Sequence, residues 1–95
     1  MIGAEIRDLI EKHGKRPRSK DILINLRKSA FMTPKQLSEK TGASMSTVSQ
    51  KLTELVRDGI VQSEYKNRRD RRRKAYFLTD EGKKIVDLIS KFPSQ

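Results

Sequence analysis

The chain contains no cysteine and one histidine, His13. The first absence excludes disulfides, thiol redox sensing and cysteine-ligated metals. The second leaves too few imidazoles for a zinc site, and a lone histidine near the end of a basic helix reads most simply as a solvated or helix-terminal residue. No stretch approaches the roughly eighteen consecutive apolar residues of a membrane span, and Met1-Ile2-Gly3 does not open a signal peptide, so the expected location is the cytoplasm with no membrane partner. Apolar residues are few, 34% against 36% charged in a chain of 95, which predicts a single domain over 1–95 with a small core that an oligomer would help to complete. Acids are scarce as well. Twelve Asp and Glu face 22 Lys and Arg, for a net charge of +10, and the cations are clustered, which points to a polyanionic partner rather than to solubility alone. No cofactor is implied, and no nucleophile sits beside a candidate base, so the expectation is a protein that is not an enzyme.

What is present is organised around residues 33–58. Thr33-Pro34 supplies an N-cap and a proline at the first helical position, Leu37 points inward, and Gly42 can take the left-handed conformation that ends a helix and turns the chain. Ser44 caps a second helix. There Val48, Leu52, Leu55 and Val56 recur at i, i+4, i+7 and i+8 as an apolar stripe. Ser46, Thr47, Gln50, Glu54 and Arg57 occupy the far side, flanked by Ser49 and Lys51. Short hydroxyl and amide side chains at a helix start suit close approach to bases and phosphates; an ordinary helical hairpin with a solvated polar face is the other reading of the same spacing.

The flanks add to this core motif. Residues 1–13 form an amphipathic helix with Ile2, Ile6, Leu9 and Ile10 on one face, which either packs on its own domain or meets a second subunit. Gly14 to Arg18 ends it as a short basic linker, and Ser19 is expected to cap the next helix, whose stripe is Ile22, Leu23 and Leu26. The cations Lys15, Arg16, Arg18 and Lys20 are a phosphate clamp or a solvated linker. Phe31 and Met32 form a short extended segment or a hydrophobic staple. Gly59 closes the second helix of the hairpin. Over 61–78, alternating VQSEYK and then KAYFL read as two strands of a β-hairpin. Its tip holds Lys66, Arg68, Arg69, Arg71, Arg72, Arg73 and Lys74 against the single acid Asp70. Like charges repel, and a loop that only keeps a sheet edge soluble would mix signs; guanidinium groups match phosphates and narrow minor grooves. Over 79–92, Thr79 caps a last helix carrying Ile85, Leu88, Ile89 and Phe92, ended by Pro93.

The fold class expected is mainly α with a small β-hairpin (α+β), in the order of a winged helix-turn-helix with amphipathic helices at both ends. The stretches TPKQLSEKTGASMSTVSQKLTELVRDGIV and RRDRRRKAYFLTDEG, above all Tyr76 to Gly82, resemble the multiple antibiotic resistance regulator (MarR) family and its small archaeal and bacterial relatives over about residues 20–90. The resemblance implies a homodimeric, nucleoid-associated transcription regulator on double-stranded DNA. Ser44, Ser46, Thr47, Ser49, Gln50 and Lys51 would then lie on the recognition helix in the major groove. Arg68, Arg69, Arg71, Arg72 and Arg73 would lie in the wing at the minor groove. The dimer would draw on Ile2, Ile6, Leu9, Ile10, Ile85, Leu88, Ile89 and Phe92. The terminal helices are shorter than the family's, and no small-molecule effector follows from them. A winged-helix adaptor for proteins and a non-specific nucleic-acid binder are the alternatives that this order of elements also allows.

Overall fold

A computed structural model describes the backbone of residues 2–65 and 74–91 and the side chains of residues 7–65 and 74–90. The elements run α1 (Ile2–Gly14), α2 (Pro17–Lys28), α3 (Pro34–Thr41), α4 (Met45–Arg57), β1 (Val61–Tyr65), β2 (Lys74–Leu78) and α5 (Asp80–Lys91). This is the α+β winged helix-turn-helix expected from the sequence.

Local chemistry sets the ends of these elements. At α3 the Thr33 hydroxyl accepts from the Gln36 amide (3.2 Å) while the Gln36 side chain accepts from the Thr33 amide (2.9 Å), a reciprocal capping box. Gly42, at φ 76°, closes α3. At the other end of the hairpin Gly59, at φ 77°, closes α4. The Gly59 amide donates to Val56 O (3.1 Å) and the Ile60 amide to Leu55 O (3.0 Å), the pair of bonds that defines a Schellman stop. Leu55 and Ile60, the two side chains that flank such a stop, are both fully buried.

Strands β1 and β2 pair antiparallel from Val61↔Leu78 to Tyr65↔Lys74. Met32 bridges Tyr76 through two backbone bonds of 3.0 and 2.8 Å, so the segment before α3 is extended chain along the free edge of β2. Of the two forms expected for Phe31 and Met32, the extended one is therefore present. Met32 is buried, and Phe31 meets Phe77 edge to face at 5.3 Å between ring centroids.

One core joins all of these elements: Ile22, Leu23 and Leu26 from α2, Leu37, then Val48, Leu52 and Leu55 from α4, Ile60, Val61 and Leu78 at the hairpin base, and Ile85, Val86 and Ile89 from α5. Several expectations change here. Val56 is 40% exposed, because α4 turns only its Val48–Leu52–Leu55 edge to the core before the chain leaves it. Ser19 does not cap α2. Pro17, which needs no amide partner and has its φ preset, starts that helix three residues earlier behind an extended Arg16, and Ser19 becomes an interior residue, fully buried.

The terminal helices also pack on their own chain. Ile85 and Ile89 are 1% and 3% exposed within the core, and Leu9 and Ile10 rest half-buried against it. Ile85 and Ile89 are therefore not available to a second subunit, because α5 packs on α1, α2 and β2 at once. Leu88 is half-buried. The side chains of Ile2, Ile6 and Phe92 lie outside the described residues.

The start of α5 is fastened to the end of α4. Thr79 donates its hydroxyl to Gly59 O (2.8 Å), with Ile60 O at 3.1 Å, and the same oxygen accepts from the Gly82 amide (3.0 Å). Gly82 lies against this joint so closely that a Cβ there would collide with the carbonyl oxygen of Ile60. Gly82→Ala should therefore destabilise the fold by about 1–3 kcal/mol, read as a lower urea midpoint. An unchanged midpoint would show that the joint yields freely.

Candidate nucleic-acid interface

Helix α4 begins at a cap that holds its first turn from several sides. The Ser44 hydroxyl accepts from the Thr47 amide (3.2 Å), donates to Thr47 Oγ1 (2.9 Å) and lies 3.3 Å from Ser46 Oγ. Beyond that cap Ser46, Ser49 and Gln50 are exposed, while Thr47 and Lys51 are half-buried. The chain thus presents short polar groups at the N-terminal half of a helix whose opposite edge is embedded in the core. The partial positive charge of the helix start adds to what this surface offers an anion.

The turn before α4 is tied in detail. Thr41 donates to Leu37 O (2.7 Å) and accepts from the Ala43 amide (3.3 Å), Ser38 donates to Ala43 O (2.6 Å), and Arg18 donates to Thr41 O (3.1 Å). Arg16 pairs with Glu54 at 3.2 Å. Two of the four linker cations are thus engaged with the α3–α4 unit, a role that neither the phosphate-clamp nor the solvated-linker reading contained. The Arg16 pair has a further effect, since Glu54 lies on the polar side of α4, where an unbalanced carboxylate would repel a polyanion.

His13 differs most from its expectation. It is 0% exposed rather than solvated, and its Nε2 donates to Asp58 Oδ2 at 2.8 Å, the oxygen that also receives Lys12 Nζ at 3.0 Å. Asp58 is the C-cap of α4, so the end of α1 is bound to the end of α4. Spacing along one helix could not reveal this, because the partners are 45 positions apart. Burial acts to raise the Asp58 carboxyl, but the hydrogen bonds from His13 and Lys12, together with their charges, outweigh it and hold the group below the usual carboxylate range.

In the wing, Arg68, Arg69, Arg71, Arg72 and Arg73 lie outside the described residues. At its base the Lys74 ammonium sits 5.6 Å from the centroid of Tyr65 and 5.9 Å from that of Tyr76, a cation held between two ring faces. Outside the expected site, Met45, the first residue of α4, is 49% exposed. At about 100° per residue it falls between Leu52 and Val56, on the apolar stripe, so periodicity alone would have buried it. Among the described residues, no group of three or more His, Asp or Glu side chains is placed to hold a metal ion.

Comparison with known proteins agrees with this geometry. Residues 15–62, just over half of the chain, match the family described as winged helix-turn-helix DNA-binding. The chain belongs to that family. Among solved structures it is similar to the transcriptional regulator PA4135, at 26% identity and a TM-score of 0.74 over 93% of this chain and 64% of that one. It is also similar to a mutant MarR from E. coli, at 25% identity and a TM-score of 0.70 over 76% and 52%. A MarR-family regulator from Silicibacter pomeroyi shares the fold at 24% identity and a TM-score of 0.74 over 93% and 58%. The chain spans between about half and two thirds of the length of these structures. No curated protein matches it.

The Asp58 joint is open to a pH test. Because the folded-state pKa lies below the ordinary value, Asp58 contributes stability above that value, and the contribution is lost as pH falls through it toward the lower folded one. Asp58→Asn should therefore lower the urea midpoint at pH 7, and the difference from wild type should close as pH falls below the ordinary carboxylate range. A difference that persists in full at pH 2 would assign the loss to packing rather than to the carboxylate.

Proposed function

We propose that this protein is a sequence-specific double-stranded-DNA-binding transcriptional regulator that acts as a homodimer. The observation that carries the reading is the exposed Ser46–Ser49–Gln50 surface at the start of α4, on a helix braced at both ends, in a chain of the winged helix-turn-helix DNA-binding family. The similar solved structures are themselves described as transcriptional regulators.

In this reading α4 enters the major groove. Gln50 pairs bidentately with an adenine edge, Ser46, Thr47 and Ser49 contact phosphates or base edges, and Lys51 a phosphate. Ser44 keeps the first turn in register. The wing arginines Arg68, Arg69, Arg71, Arg72 and Arg73 lie along the adjacent minor groove and provide most of the affinity through phosphate neutralisation. A dimer contact would be built from Leu9, Ile10 and Leu88 with Ile2, Ile6 and Phe92, since Ile85 and Ile89 are already committed to the core.

Two variants separate these roles. Gln50→Ala should change the sequence enriched from a random duplex pool while leaving the salt dependence of binding nearly intact. Neutralising Arg71, Arg72 and Arg73 together should weaken all duplexes and reduce the slope of log affinity against log salt by about 0.9 for each phosphate that is no longer neutralised. Equal weakening on every sequence by Gln50→Ala would remove it as a base reader. Negligible duplex binding, unaffected by the wing charges, would favour a protein-interaction adaptor instead.

A further inference from the structure

Four large apolar side chains are exposed among the described residues: Phe31, Met45, Val56 and Tyr65. Phe31 packs on Phe77, Tyr65 carries the Lys74 ammonium over its ring, and Val56 sits near the C-terminal end of α4. Met45 alone stands at the helix start, between the cap Ser44 and the exposed Ser46. At about 100° per residue it lies roughly 60° around the helix from the buried Val48, on the flank shared with exposed Ser49. Side chains on a helix lean toward its N-terminus, so the Met45 thioether projects ahead of the first turn on the side of Ser49, its i+4 neighbour and one of the groups assigned to contact with the duplex.

The chemistry of the major groove leaves one counterpart for such a group. Base edges there present hydrogen-bond donors and acceptors, with a single apolar feature, the C5-methyl of thymine. A thioether donates no hydrogen bond, and its unbranched, flexible chain adapts to a small apolar target. Resting on the reading of α4 as the groove-entering helix, we propose that Met45 is a specificity-determining residue that selects thymine through its methyl group.

The experiment replaces each thymidine of the pool-enriched duplex, one at a time, by deoxyuridine. This removes the methyl and leaves the hydrogen-bonding edge unchanged. Affinities are measured for wild type, Met45→Ala and Met45→Leu, with helix content checked by circular dichroism. At one thymine the replacement should weaken wild type about fourfold, the factor associated with burying one methyl-sized group. Met45→Ala should lose a similar factor on the thymine duplex and be indifferent to that same replacement, whereas Met45→Leu should keep part of the sensitivity. The inference is overturned if every replacement affects wild type and Met45→Ala alike, even where Met45→Ala binds more weakly overall. That result would leave sequence-specific binding itself standing. If no sequence is enriched over random duplex, the reading of α4 and the role of Met45 fall together.

Discussion

The backbone carbonyl of Ile60 is the point on which the arrangement of this molecule depends. It lies just beyond the Schellman stop of α4, it accepts the Thr79 amide at 3.0 Å, and it faces Gly82 across a gap with no room for a methyl group. Helix α4 ends and the wing starts within three residues of it, and the segment that opens α5, from Thr79 to Gly82, packs against it. Their mutual angles are fixed by hydrogen-bond geometry and close packing rather than by side chains that could adapt. Any surface that needs α4 and the wing at a set distance, as two neighbouring DNA grooves would, inherits its precision from this joint.

Much of the fold was legible in the sequence because its signals are local. Thr33-Pro34, Gly42, Ser44 and Gly59 act through bonds to residues two to five positions away, as Thr79 does in capping α5 at Gly82, and a cap or a left-handed glycine has the same meaning in any fold. The hairpin was legible for the same reason, from period-two alternation in two short runs. The errors fell where a distant partner decides. The burial of His13 depends on Asp58, that of Ile85 and Ile89 on α1 and α2, and the exposure of Val56 on where the chain leaves α4. Ser19 failed differently: Pro17 outcompeted it as a helix start, and both signals were in the sequence. For the candidate site, the polar face of α4 could be read from periodicity, but the half-exposed Met45 could not, since exposure at a helix end depends on what stands beside it.

The charge of the chain is divided between two uses. Arg16, Arg18 and Lys12 bind Glu54, the carbonyl of Thr41 and Asp58, and in doing so they hold the helix-turn-helix in shape. Lys74 is held over the rings of Tyr65 and Tyr76. These contacts are individually weak where exposed, but they are spread over the flanks of α4 and act together against its rotation. The count of 22 Lys and Arg thus overstates the cations left free to meet a polyanion, and part of the salt sensitivity of the protein should belong to its fold.

The His13–Asp58 contact has a practical consequence. Because the chain contains one imidazole, its carbon-bound ring protons give a single, unambiguous set of magnetic resonance signals, and that ring sits in the seam between α1 and the far end of α4. Any event that shifts α4 relative to the terminal helices is reported by one resolved nucleus set in an unmodified protein, without a label and without a substitution that would disturb the movement being observed.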